Sequence, residues 1–339
     1  MKKGNNLIAI YAPYDKRVEN DGFLSFPNSN EYVVLAKKME ESGFELHSLD
    51  VCKRNNQYPM VCIFLDTPPV KVSTLVDNRT KTIVLLREAE LNCPDNFKKE
   101  RQQEFDLILT WKSRLVDNKR FLSYPATRLS SFKQLDNVDI NNRKLCVLIN
   151  SNLSSKVHGE LYSERRRVVD WFYKNHKEDF DLWGYGWDKL AFTFFNRTLL
   201  SLQKPRMLIH PLYKGIAEDK CRTLSKYNFS ICFENVKTES DYVSEKIFDS
   251  LLAKNVPIYM GAPNITNKIP KECFIDYRAF KSIEDLFYFL RNMSKDTYLE
   301  YLKNINSFLN SEKAQEFSLD RWLQVTLNAT QKLVKENND

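Results

Sequence analysis

Residues 227–235 read Tyr-Asn-Phe-Ser-Ile-Cys-Phe-Glu-Asn, residues 243–249 Val-Ser-Glu-Lys-Ile-Phe-Asp, and residues 256–264 Val-Pro-Ile-Tyr-Met-Gly-Ala-Pro-Asn. Their order is strand, polar loop, helix start, strand and turn, the alternation of a wound, mostly parallel α/β sheet. Glu234 and Asn235 fall at the carboxyl end of the first strand, and Tyr242, Glu245 and Lys246 cluster where the helix begins. In such folds ligands gather at the carboxyl ends of strands and at helix N-termini. A helix start with a lysine and a tyrosine beside it suits a diphosphate, because backbone N–H groups donate and the ammonium adds charge. A carboxylate nearby can accept hydrogen bonds from sugar hydroxyls. The same residues also read as a plain N-cap at Ser244 followed by a solvated first turn.

The alternation continues on both sides. Strands are expected at 7–12, 44–49, 60–65, 82–86 and 105–109, with a helix over 30–42 ending at Gly43. A polar stretch, 137–143, precedes a strand at 145–149, and we set a domain boundary there, at 140/141. Beyond it, helices are expected at 162–173, 217–225 and 244–253, and strands at 181–183, 229–233 and 256–260. The end is helical, over 283–292, 295–309 and 319–335, and the last helix is expected to pack on the core rather than lie on a membrane. Two wound halves of similar size imply a ligand cleft between them.

Composition narrows the function classes. The chain has 339 residues, 42% hydrophobic and 28% charged, a globular balance with room for two domains. With only 8 glycines, Gly-rich phosphate loops are not expected, and Gly184-Tyr185-Gly186 lacks the third glycine of a dinucleotide fingerprint. The net charge of +7 favours an anionic partner, but no basic block interleaved with aromatics marks a nucleic-acid site. Seven cysteines, several inside apolar runs, read as reduced core residues, and four scattered histidines form no zinc signature. Asn78 and Asn196 open Asn-x-Thr triplets of no particular weight. The apolar run Leu7 to Ala12 is too short for a signal peptide or a membrane span, so we expect a soluble or peripheral chain, cytoplasmic or at the inner membrane face.

The run Phe233-Glu234-Asn235, then Tyr242-Val243-Ser244-Glu245-Lys246, then Val256-Pro257 and Gly261, resembles the signature of the α1,3/α1,4-fucosyltransferases, glycosyltransferase family 10. The family usually carries Thr where this chain has Ser244, which keeps the hydroxyl. A looser likeness takes in Ser151-Asn152, Glu160 to Arg165 and Trp183 to Trp187. The resemblance implies a GT-B fold, two Rossmann-like domains facing a central cleft: an acceptor-binding domain over 1–140 and a GDP-fucose domain over 141–339. It implies an inverting transferase that moves L-fucose to a glycan hydroxyl, α1,3 on an N-acetylglucosamine-type sugar; with no signal or anchor segment read in the sequence, a lipid-linked acceptor and peripheral membrane contact are expected. Lys246 and Arg165 would then face the diphosphate, Tyr242 and Glu245 the ribose or fucose, and Glu234 and Asn235 would line the same pocket. Lys220 is a further donor-binding candidate, though a lysine there also serves as a helix-end residue. No cofactor is implied, and a divalent metal would be at most stimulatory.

Inversion by direct displacement needs a general base for the acceptor hydroxyl. By resemblance it is a glutamate just after an N-terminal-domain strand and shortly before a proline. Here Leu86-Arg87-Glu88-Ala89-Glu90 leads to Pro94, making Glu88 the first candidate and Glu90 the alternative. Arg87 stands where the family commonly has an apolar or aromatic residue, and pairing with it would depress the carboxylate's pKa. The competing functions are a GT-B transferase for another nucleotide sugar and a degenerate, glycan-binding family member.

Overall fold

A computed structural model describes residues 6–28, 30–188, 192–193 and 210–337, so the Asn196 triplet lies outside the described residues. The chain divides into two compact units, residues 1–130 with 315–339, and residues 131–314.

The first unit contains β1 (Leu7–Tyr11), α1 (Glu31–Glu41), β2 (Glu45–Ser48), α2 (Leu49–Arg54), β3 (Val61–Leu65), β4 (Lys81–Leu86), α3 (Lys99–Gln102), β5 (Leu107–Thr110) and β6 (Phe121–Ser123). The strands form one parallel sheet in the order β2-β1-β3-β4-β5-β6. Every residue of β3, Val-Cys-Ile-Phe-Leu, is buried, as a central parallel strand covered on both faces requires. Asn30 starts α1 by accepting the Tyr32 N–H at 3.0 Å, and Gly43, at φ +83°, closes it.

The second unit contains β7 (Lys144–Ile149), β8 (Leu153–Ser154), α4 (Tyr162–Asn175), β9 (Phe180–Trp183), β10 (Phe192–Thr193), α5 (Lys220–Leu224), β11 (Tyr227–Phe233), α6 (Glu245–Leu252), β12 (Val256–Met260), β13 (Ile275–Asp276), α7 (Ile283–Arg291) and α8 (Lys295–Leu309). Its main sheet is parallel, in the order β9-β7-β11-β12-β13, while β8 and β10 form a separate pair. In order of appearance the main-sheet strands therefore run 2-1-3-4-5, and the topological switch point lies between β7 and β11. After a short α9 (Glu312–Gln315), α10 (Leu319–Glu336) completes the chain. Among the described residues, no helix is long and apolar enough to cross a membrane.

The division differs from the sequence reading at both ends. The break falls at 130/131, because the residues just ahead of the polar stretch are bonded to the second unit: Leu135 N–H donates to Leu252 O at 2.9 Å, and Gln134 Nε2 to Leu251 O at 2.8 Å. The terminal helix α10, assigned from sequence to the second half, belongs to the first. It packs on α1, β3 and β4, with Trp322 and Leu333 buried and Leu319 N–H bonded to Leu129 O at 2.9 Å. Core packing of this helix was expected; periodicity does not say which core. Its buried Thr326 and Thr330 hydroxyls donate to the carbonyls four residues back, at 2.8 and 2.9 Å, so polar residues fit the buried face.

Gly184, at the carboxyl end of β9, has φ +125°, and a Cβ built there would lie 2.2 Å from Asn150 O. Neither the backbone conformation nor the space admits a side chain. Gly184→Ala should lower stability by about 2–4 kcal/mol, read as an earlier urea midpoint with an unchanged slope.

Candidate functional site

The carboxyl ends of β7 and β11 flank the switch point of the second unit, where open α/β sheets hold their ligands. A small pocket there is lined by Asn150, Lys220, Cys232, Lys246 and Ser250, among others. Glu234, the residue after β11, is completely buried. Its Oε1 accepts the Ser244 N–H at 2.8 Å and its Oε2 the Ser244 hydroxyl at 2.7 Å. Lys246 Nζ lies 3.5 Å from the same Oε2 and donates to Ser244 Oγ at 3.0 Å. Glu234, Ser244 and Lys246 thus close a buried ring of contacts at the N-terminus of α6, where Ser244 is the N-cap. Burial alone would favour a neutral amine at Lys246, but the Glu234 and Glu245 carboxylates outweigh it and hold its pKa above the ordinary lysine value. The lysine is a fixed cation at the edge of the pocket.

Gly261, the glycine of the Val-Pro-x-x-x-Gly run, makes the ring possible. A Cβ there would fall 2.5 Å from Glu234 Cγ and 2.5 Å from Tyr259 Oη. Removing the Ser244 hydroxyl would leave a fully buried carboxylate short of a donor. Ser244→Ala should therefore cost about 1–3 kcal/mol, while Ser244→Thr, which keeps the hydroxyl, should unfold near the wild-type urea midpoint.

Arg165 approaches the same turn from α4. It is 2% exposed, and its Nη2 donates to Phe233 O and Glu234 O at 2.7 Å each and to Asn235 Oδ1 at 3.1 Å. Its guanidinium lies 5.0 Å from the centroid of the Tyr162 ring. Burial pulls the Arg165 pKa down to about 10, against the pull of Tyr162 and Glu234, so the group stays charged at neutral pH. Glu160, from the same Glu-Leu-Tyr-Ser-Glu-Arg run, caps α4 by accepting the N–H groups of Tyr162 and Ser163 at 2.6 and 3.1 Å. That run therefore starts the helix and sends Arg165 to shape the end of β11.

The remaining candidates sit around this ring. Lys220 shares the pocket with Lys246 and pairs with Asp249 at 2.6 Å. Burial raises the Asp249 pKa, and Lys220 opposes that. Tyr242 is buried, whereas Glu245 is exposed, with Oε1 4.0 Å from Lys246 Nζ. Asp241, at φ +68°, exchanges two 2.8 Å hydrogen bonds with Asn264, which ties the polar loop to the Gly-Ala-Pro-Asn turn. Sequence reasoning treated Ser244 only as a cap and missed its hold on Glu234.

In the first unit, Glu88 follows β4 and is half-buried. Its Oε2 accepts from Asn92 Nδ2 at 2.7 Å. Arg87 turns away from it, donating from Nη1 to Tyr32 Oη at 2.7 Å, so the expected Arg87–Glu88 pairing does not form. Glu90 is 54% exposed and lies 3.8 Å from Lys112 Nζ. Of the two carboxylates, Glu88 is the one oriented at a strand's carboxyl end. Asp66 and Asn96, which the sequence reading passed over, hold the backbone on either side of it. An acid directly after the apolar run Val61–Leu65 was the available signal.

Two parallel, wound α/β sheets, one with a polar site at its switch point, make up the arrangement of the GT-B fold. Solved structures agree on the fold. An α1,3-fucosyltransferase with GDP-fucose aligns at TM-score 0.58 and 16% identity, over 97% of this chain and 90% of that one. A glycosyltransferase from Rickettsia africae aligns at 0.59 and 10%, over 97% and 98%. The DNA-modifying β-glucosyltransferase aligns at 0.54 and 14%, over 97% and 99%. Residues 210–336 match the family described as glycosyltransferase family 10 (fucosyltransferase) C-term. It is 31% identical over 87 residues to the α-(1,3)-fucosyltransferase FucT of Helicobacter pylori, which is 25% of this chain and 18% of that protein. It is 38% identical over 80 residues to an α-(1,4)-fucosyltransferase of Arabidopsis thaliana, 23% and 20% of the two chains. The matched stretches thus span about a fifth of these relatives' length.

Proposed function

We propose that the protein transfers L-fucose from GDP-fucose to a hydroxyl of a glycan acceptor, with inversion at the anomeric carbon. The observation that supports this most is the Glu234–Ser244–Lys246 ring at the N-terminus of α6, inside the family-matched segment and beside the switch point. Lys246, the second lysine Lys220 and the helix end offer positive charge to a diphosphate. Arg165 shapes the turn at Glu234 and Asn235 and adds its buried charge to that end of β11. Tyr242 and Glu245 stand where ribose or fucose hydroxyls would be met.

In the reaction, the acceptor oxygen forms a bond to the fucose anomeric carbon as the bond to the β-phosphate oxygen breaks. The hydroxyl proton passes to Glu88, and GDP leaves with its developing charge met by Lys246 and its neighbours. The preferred linkage is α1,3 on an N-acetylglucosamine-type sugar. With fixed cations in this role, EDTA should leave the rate essentially unchanged.

Calorimetry with GDP and UDP tests the donor half of this reading. Binding of GDP at least tenfold tighter than UDP supports it. Equal or reversed preference would assign the site to another nucleotide sugar, and no binding of either would leave a glycan-binding role.

A further inference from the structure

The hydrogen bonds around the turn after β4 converge on one buried carboxylate that the reaction above does not use. Asp66 immediately follows β3 and is 5% exposed. Its Oδ1 accepts three donors: the Arg87 N–H at 2.7 Å, the Glu88 N–H at 3.0 Å and Asn96 Nδ2 at 2.7 Å. Asn96 is fully buried and fixes the other side of the turn. Its Oδ1 accepts the Thr67 N–H at 2.8 Å, and its Nδ2 also reaches Glu88 O at 3.3 Å. Asp66 itself has φ +69°, a conformation uncommon for a residue with a side chain, and its N–H is bonded to Leu85 O at 3.0 Å. Strained, multiply hydrogen-bonded polar residues of this kind collect where a neighbouring group must be held in one geometry. The group held here is the peptide of Arg87 and Glu88. Through it, the Glu88 carboxylate meets Asn92 and the Arg87 side chain is sent to Tyr32.

We infer that Asp66 is the positioning residue for Glu88, gathering the backbone N–H groups of Arg87 and of Glu88 itself so that the Glu88 carboxylate is aimed before the acceptor arrives. The inference rests on Glu88 acting as the base. Charge-assisted bonds to a carboxylate are roughly twice as strong as those to a neutral amide. Asp66→Asn keeps an acceptor oxygen of the same shape, whereas Asp66→Ala removes it. Misplacement of a catalytic group by about 1 Å costs on the order of 100-fold.

The test measures fucosyl transfer by single-turnover assay with labelled GDP-fucose and N-acetyllactosamine, with Asp66→Asn and Asp66→Ala each made alone and in a Glu88→Gln background. The expected kcat losses are about 3–10-fold for Asp66→Asn and about 10–100-fold for Asp66→Ala, with the GDP dissociation constant unchanged. In the Glu88→Gln background neither substitution should lower the rate further, because residues acting as a unit are not additive. Wild-type kcat in both variants would overturn the inference, as would the same fold-loss with and without Glu88. Should Asp66→Ala fail to fold, the Asp66→Asn pair carries the same comparison. Full activity in Glu88→Gln alone is a distinct outcome: it removes Glu88 as the base and the positioning role with it, leaving the fucosyl-transfer reading standing.

Discussion

Glu88→Gln should abolish most fucosyl transfer, lowering kcat by about 100- to 10,000-fold, while GDP binding and the urea midpoint stay close to wild type. The amide is nearly isosteric with the carboxylate and can still accept the Asn92 donor that reaches Glu88 Oε2 at 2.7 Å. What is lost is the ability to take the acceptor's proton. Glu90→Gln should retain at least half the activity. That side chain is 54% exposed and lies 3.8 Å from the buried Lys112 Nζ, beyond hydrogen-bond distance, while Lys112 also sits 4.2 Å from the centroid of the Phe97 ring. The two variants separate the candidates cleanly because each changes one carboxylate and no packing. Loss in Glu90→Gln with retention in Glu88→Gln would move the base two residues along the turn.

Lys246→Met should lower kcat/KM for GDP-fucose by about 100- to 1,000-fold. The ammonium is a partly buried cation at the N-terminus of α6 and, in the proposed reaction, faces the leaving diphosphate. This variant carries a complication that the geometry itself predicts. Glu234 is completely buried, and its Oε2 is 3.5 Å from Lys246 Nζ. Removing the cation leaves that carboxylate without its counter-charge, and breaking such a pair costs about 3–5 kcal/mol. The single variant should therefore unfold early as well as react slowly. Lys246→Met with Glu234→Gln keeps the hydrogen-bond ring to Ser244 without a net charge. It should recover most of the stability and none of the transfer. Recovery of both would make Lys246 a structural counter-ion only. The pH dependence has a definite sign. The pKa of Lys246 is held above the ordinary lysine value, so its charge persists through neutral pH and is lost only as pH rises past that raised value. No alkaline limb from this group should appear between about pH 7 and 9.

Much of the second unit was legible because its signals are local. The apolar runs of β7, β11 and β12 are bounded by turn residues, and Ser244 marks the start of α6. The candidates Glu234, Asn235, Tyr242, Glu245 and Lys246 stand near a strand's end or a helix's beginning, where position alone also allowed a plain cap and solvated turn, and the family resemblance singled them out. Their mutual contacts are long-range and did not follow. That Arg165 in α4 would bond the carbonyls of Phe233 and Glu234 depends on how α4 packs, which spacing does not encode. The same holds for α10, whose amphipathic pattern announces a buried face without naming the core that buries it. Short edge elements escaped for a different reason. β6 has three residues, and Leu49, read as a strand's last residue, opens α2, where Ser48 supplies the turn. Asp66 escaped because a single acid after a strand looks like any surface turn residue. Only the three donors converging on its Oδ1 distinguish it.

The most direct measurement is mass-spectrometric detection of the product formed when the purified protein is incubated with an N-acetyllactosamine acceptor and either GDP-fucose, GDP-mannose or UDP-galactose, with and without EDTA. Stoichiometric GDP and a singly fucosylated acceptor, formed only from GDP-fucose and at the same rate in EDTA, is the expected result. Turnover of another nucleotide sugar with GDP-fucose left intact would contradict it.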